Sequence, residues 1–195
     1  MKVVGLDLSL RSAGLVALRD DAHVLQERRI EDGKKTDGPR RLQRLRDQVS
    51  DELYGLNPDI IVMENYAYGA RNQAHQVGEL GGVIRLAMYE MGLTYVTVPP
   101  NTLKKFVTGK GNSPKDTMLK AVYKRWGFDT DSNDIADGYG LARIGLCIVA
   151  EKTAKQFRHD VLKNLTCTLG GGVDPSSIFE KIPRLSQMQG CTHLP

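Results

Sequence analysis

Histidine and cysteine are scarce in this chain, four and three among 195 residues. Cys147, Cys167 and Cys191 have neither the number nor the spacing of a disulfide framework or a CxxC zinc site. Cys147 lies in an apolar run and reads as a small buried hydrophobe, so the expected setting is reducing and intracellular. Long apolar runs are missing as well. None approaches the ~20 residues of a membrane span, and no membrane partner is expected. The opening MKVVGLDLSL is broken by Asp7, and soon after by Arg11, too early for a secretory signal. Neither sign of charge dominates: 27 Lys and Arg face 23 Asp and Glu, a net +4. So small an excess is weak evidence for a polyanionic partner, and the placement of the charges matters more. No internal repeat is visible. What remains is an ordinary globular composition, 41% hydrophobic and 26% charged, enough for one substantial core.

The pattern along the chain begins with three short β-branched runs, KVVGLDLSL, SAGLVALRD and AHVLQERRI, the last two separated by a turn at Asp20-Asp21. They read as an antiparallel meander. A Gly, Pro and charge-rich loop, EDGKKTDGPRR, follows. Leu42, Leu45, Val49 and Leu53 then recur at helical spacing. PDIIVMEN holds four apolar residues in a row, Ile60 to Met63, as in a strand buried on both faces of a parallel sheet. AHQVGELGGVIRLAMYEMG reads as a helix stopped by Gly92, with Gly78, Gly81 and Gly82 packing close to a neighbour. LTYVTVPP is another strand. NTLKKFVTG is a short helix capped by Asn101 or Thr102, and a further helix is capped by Ser113 with Pro114 in its first position. SNDIADGYGLARIGLCIVAEKTA is the last clear helix. A meander followed by strand–helix alternation implies an α/β fold with a mixed sheet. After about Lys155 the pattern weakens. The expected division is a domain over residues 1–155 and a partly irregular C-terminal extension over 156–195, which includes the turn-rich LGGGVDPSS.

Four carboxylates stand where such elements rarely carry them. Asp7 interrupts an apolar strand, where Asp is disfavoured. Glu64 ends the buried strand, at the carboxyl edge where α/β sheets place their ligands. Asp134 and Asp137 share one face at the head of the last helix. Each has an ordinary reading: a helix cap for Asp134, a favourable first-turn charge for Asp137, a strand-end charge for Glu64. Together they are more specific. If these elements pack as one layer system the acids converge, and converging anions repel. Divalent cations remove that cost, and an all-oxygen donor set suits Mg²⁺ or Mn²⁺. A pair of such ions is a known device for in-line phosphodiester cleavage.

GLDLSLRSAGLV, IIVMENYAYG, VPPNTLKKFVTGKGNSPKD and SNDIADGYGLA resemble, in order, the four motif regions of RuvC-type Holliday-junction resolvases, members of the ribonuclease H-like superfamily. The resemblance covers roughly residues 1–150 and looks like that of a phage-type or diverged member. It implies a ribonuclease H-like mixed five-stranded sheet flanked by helices. It also implies a metal-dependent endonuclease that resolves four-way DNA junctions as a homodimer, in the bacterial cytoplasm, encoded by the cell or a phage. By motif, Asp7, Glu64, Asp134 and Asp137 match the acids that hold Mg²⁺, two ions per site. Lys104 and Lys115 match lysines that contact DNA near the scissile phosphate. An aromatic residue shortly after the glutamate meets the junction centre in this family, and here ENYAYG offers both Tyr66 and Tyr68. In many members a His or an acid lies near the final pair, whereas Ser132 and Asn133 stand here. The long tail after Lys155 also departs from the common length. The resemblance implies as well that the glycine-bearing helix lies at the dimer interface. No helicase partner is indicated.

Basic residues fit a nucleic-acid substrate. Lys104, Lys105, Lys110, Lys115, Lys120, Lys124 and Arg125 form the densest run, with Gly109 and Gly111 letting the backbone approach phosphate. Arg40, Arg41, Arg44 and Arg46 form a second, which reads equally as a solvated helix face. Tyr66, Tyr68 and Arg71 make an aromatic and basic loop after Glu64, suited to stacking on exposed bases. Two rivals remain: a nuclease of the same fold that cuts flaps and other branched DNA, and an actin-like ATPase, which also opens with a GLDLSLRSAG-like strand and turn.

Overall fold

The computed structural model describes residues 1–32, 38–65 and 74–149. The chain runs β1(Lys2–Leu8), β2(Ser12–Arg19), β3(Val24–Glu31), α1(Gly38–Leu56), β4(Ile60–Glu64), α2(Ala74–Glu90), β5(Tyr95–Val98), α3(Pro100–Thr108), α4(Lys115–Trp126) and α5(Asn133–Val149). The strands form one sheet in the order β3-β2-β1-β4-β5. β1, β2 and β3 are the expected antiparallel meander, while β4 pairs parallel with both β1 and β5. Parallel neighbours need crossovers, and α1 and α2 supply them.

Side-chain alternation along each strand divides the core into two layers. Val4, Leu6, Ala13, Leu15, Ile61 and Met63 face α1 and α2, meeting Leu45, Val49, Leu80 and Ile84. Val16, Leu18, Val62 and Val98 face the other way, against α3, α4 and α5. Ile60 to Met63 are fully buried, as their unbroken apolar run predicts. Trp126, with the guanidinium groups of Arg125 and Arg143 each 5.1 Å from its ring centre, joins Phe106 and Tyr139 in closing the α3–α4–α5 layer. Burial raises the Tyr139 phenol above its ordinary pKa of 10.0, opposed by the nearby Arg143 charge.

Several local expectations change. Pro99 precedes α3 with extended backbone, ψ 144°, because the following proline disfavours a helical residue before it. Asn101 and Thr102 therefore lie inside the helix rather than capping it. Likewise Pro114, not Ser113, is the residue before α4. Ser113 instead lies 2.6 Å from the Thr108 hydroxyl and donates to the Lys110 carbonyl. Cys147 is half-buried at the margin of the α5 core. Gly92 does end α2, at φ +68°. The expected close packing at Gly78 and Gly82 is not what places them: a Cβ on either would meet nothing within 4 Å among the described residues.

Candidate active site

Three glycines determine how near α5 comes to the sheet. Gly5 on β1 has no room for a side chain, because a Cβ there would strike the Gly138 carbonyl and the Ala142 nitrogen. A Cβ on Gly14 of β2 would strike the carbonyl of Asp134, and one on Gly138 would lie 3.0 Å from Gly14 O. The head of α5 thus rests on bare backbone of the two central antiparallel strands. Asp7 follows Gly5 by two residues, so it points to the same face, toward α5. It is 6% exposed and pairs across the ladder with Gly14.

Glu64 reaches the same face by the same counting. Val62 packs toward Gly145 of α5, and Glu64 is two residues on. The β1–β4 register ends at Leu6↔Met63, so the next residues, Asp7 and Glu64, come level on neighbouring strands about 4.8 Å apart. Glu64 is half-buried, and Asn65 extends the ladder by donating to Val98 O at 2.8 Å.

Asp134 and Asp137 occupy the first turns of α5. Asp134 is not the cap. Ser132 takes that role, its hydroxyl accepting from Ile135 N at 3.4 Å and its carbonyl from Ala136 N at 2.9 Å. The Asp134 carboxylate turns toward β2 and β3: Oδ2 accepts the Ser12 hydroxyl at 2.7 Å and lies 3.5 Å from Arg29 Nε. Among the described residues, no three of the His, Cys, Asp and Glu side chains gather closely enough to hold one ion. Asp7 and Glu64 share an end and a face of the sheet, Asp134 and Asp137 head the helix over that face, and all four offer carboxylate oxygens. That donor set fits a hard divalent cation.

Lys104 is half-buried on α3, whose Leu103 and Val107 pack against Gly140 of α5. Lys110 is exposed on the loop after Gly109, which holds φ +89°. Thr108 Oγ1 ties that loop down, donating to Lys104 O and accepting from Lys110 N at 3.1 Å. Lys115 opens α4. Its side chain lies outside the described residues, as do Tyr66, Tyr68, Arg71 and the glycine-rich LGGGVD.

Part of the basic surface read from sequence is spent internally. Arg41 is 4% exposed and donates to Leu10 O at 2.6 Å, fastening the turn after Asp7. Arg44 lies 3.9 Å from buried Asp32, and Arg46 pairs with Asp47. Arg125 donates to the Phe106 and Val107 carbonyls at the end of α3. Ser12, Arg29, Arg41 and Ser132 were not legible as site residues from their own neighbourhoods. For Arg29 the available signal was register: once the meander is drawn, it falls opposite Gly14.

A mixed sheet in this order, with acids at the carboxyl ends of its central strands and at the head of the helix laid over them, is a ribonuclease H-like fold. The comparisons with known proteins narrow this. The family model described as crossover junction endodeoxyribonuclease RuvC matches residues 3–145. The RuvC of Chloroherpeton thalassium is 27% identical over 132 residues, covering 66% of this chain and 71% of that protein. The RuvC of Synechococcus sp. WH7803 is 23% identical over 155 residues, covering 74% and 97%. Two solved structures share the fold. The Thermus thermophilus RuvC structure superposes with a TM-score of 0.65 at 19% identity, over 77% of this chain and 97% of that one. T. thermophilus RuvC in complex with Holliday junction substrate gives 0.63 at 21% identity, over 73% and 90%.

The chain belongs to the RuvC family of crossover junction endodeoxyribonucleases, metal-dependent enzymes that resolve four-way DNA junctions. The family match does not favour the actin-like ATPase reading, nor the broader flap nuclease.

Proposed function

We propose that Asp7, Glu64, Asp134 and Asp137 form the hydrolytic centre of this junction-resolving endonuclease. The observation that carries the reading is the level placement of Asp7 and Glu64 on β1 and β4, facing the head of α5. Two Mg²⁺ ions, with Mn²⁺ as a substitute, would supply Lewis acidity and an activated water for in-line attack on phosphorus. Asp7, buried and fixed in the sheet, is the rigid reference for the site. Glu64 contributes from the neighbouring strand, and the α5 pair closes the site from above.

Lys104, Lys110 and Lys115 hold the scissile strand through its phosphates, and the Thr108–Ser113 hydroxyl pair steadies their loop. Tyr66 or Tyr68, with Arg71, meets unpaired bases at the junction centre. The enzyme acts as a homodimer, because two strands related by a two-fold axis must be nicked. The exposed stripe Gly82, Leu86 and Tyr89 on α2 supports that helix as the shared surface. Residues 1–155 form the nuclease domain and 156–195 an extension to it. The setting is the bacterial cytoplasm, and no helix among the described residues is long and apolar enough to cross a membrane.

The test is cleavage of a synthetic four-way junction beside forks, flaps and linear duplex of the same sequence, with and without Mg²⁺. Paired nicks with 5′-phosphate and 3′-hydroxyl ends are expected on the junction alone. Equal cutting of flaps would replace resolution with general debranching.

A further inference from the structure

Arg29 has no part in the reading above, yet it touches one of the four acids. It comes from the second half of β3, and its guanidinium spans two carboxylates. Nε lies 3.5 Å from Asp134 Oδ2, and Nη2 lies 3.0 Å from Glu31 Oε1. The Asp134 oxygen it faces also accepts the Ser12 hydroxyl at 2.7 Å. To reach α5 from β3 the side chain must pass over β2, and the residue beneath it there is Gly14, its cross-strand partner.

Electrostatics gives this contact a consequence. Four carboxylates brought to one end of a sheet repel one another unless cations stand among them. Arginine is charged at every accessible pH, so it can serve before any metal arrives. A divalent ion entering through Asp134 must then compete with Arg29 for the same carboxylate. We propose that Arg29 is a resident counter-cation for Asp134 that yields to the incoming divalent ion, and so sets the metal concentration at which the site loads. This rests on the metal-site reading above. Arg29 is a positioning residue here, acting through Asp134.

The pair is half-exposed, with side chains 52% and 23% accessible, so its influence is that of a modest surface ion pair. Removing the charge should tighten metal binding about two- to fivefold. The measurement is calorimetric titration of Mn²⁺ into the full-length, DNA-free protein at low salt. Arg29→Gln should bind more tightly than wild type, and Arg29→Lys should return the affinity toward it. The gap should narrow as salt is added. Arg28→Gln is the control. It lies next in the same strand but turns to Glu52 at 3.0 Å on α1, so it should leave Mn²⁺ affinity unchanged. A purely structural role for Arg29 would lower the melting temperature without tightening binding.

Unchanged or weaker Mn²⁺ binding by Arg29→Gln overturns the proposal, as does an equal shift in Arg28→Gln. A wild type that binds no Mn²⁺ sinks the metal-site reading itself, and this inference with it.

Discussion

Asp7 shows how much one buried carboxylate fixes. It is 6% exposed in the middle of a paired sheet, so its direction is set by backbone geometry rather than by rotamer choice. Asp7→Asn keeps the shape and removes the charge. Junction cleavage should be lost while binding, followed by gel shift without divalent ions, is retained. Cleavage at the wild-type rate would remove Asp7 from the site. Two residues earlier, Gly5→Ala forces a methyl group into the backbone of α5. The expected destabilisation is about 1–3 kcal/mol, typical of overpacking. In a chain of this size that lowers Tm by roughly 2–4 °C per kcal/mol, readable by calorimetry. At this scale the acids were legible because each breaks an apolar pattern. Ser12 and Arg29 were not, because a serine beside a turn and an arginine on an edge strand violate nothing. Their relation to Asp134 exists only across 122 residues of chain for Ser12, and only through strand register for Arg29.

Elements were more legible than their ends. The period-2 and period-3.6 patterns gave the meander, the doubly buried β4 and the helices, since each follows from what must be buried. The caps of α3 and α4 were displaced by one to three positions; at α3 the reason is that Pro100 holds Pro99 extended more strongly than a nearby Asn or Thr can invite a cap. The loop between these helices is the element on which the substrate reading depends. Its anchors are hydroxyls, Thr108 and Ser113, while Lys110 stands exposed. Lys110→Ala should weaken junction binding without altering the fold. It should also reduce the slope of log affinity against log salt by about 1, as expected for one lost phosphate contact. An unchanged slope would take Lys110 off the DNA. The second basic run shows why charge counts mislead. Arg41 was indistinguishable in sequence from its neighbours, yet it is buried and bonded to the turn after Asp7.

Over the whole molecule, the two faces of the sheet have separate work. One packs α3, α4 and α5 around the acids, and the other carries α1 and α2. Leu86 and Tyr89 on α2 are 56% and 58% exposed, and Gly82 beside them presents bare backbone. Leu86→Glu should convert a dimer to a monomer in light scattering. A mass unchanged from wild type would discard α2 as the joining surface.

The edges of the sheet bear on what kind of assembly can follow. Among the described residues, β3 is an outer strand whose residues Gln26, Glu27, Arg28, Arg29 and Glu31 are mostly charged, and the opposite outer strand, β5, has only four residues. A second copy adding a strand at β3 would have to bury that row of charge, and at β5 it would find too short a ladder to hold. Growth by sheet extension is therefore discouraged at both borders. Copies that meet through a helix can close as a pair, and a closed pair, unlike a growing ribbon, stops at two, the count the proposed homodimer needs.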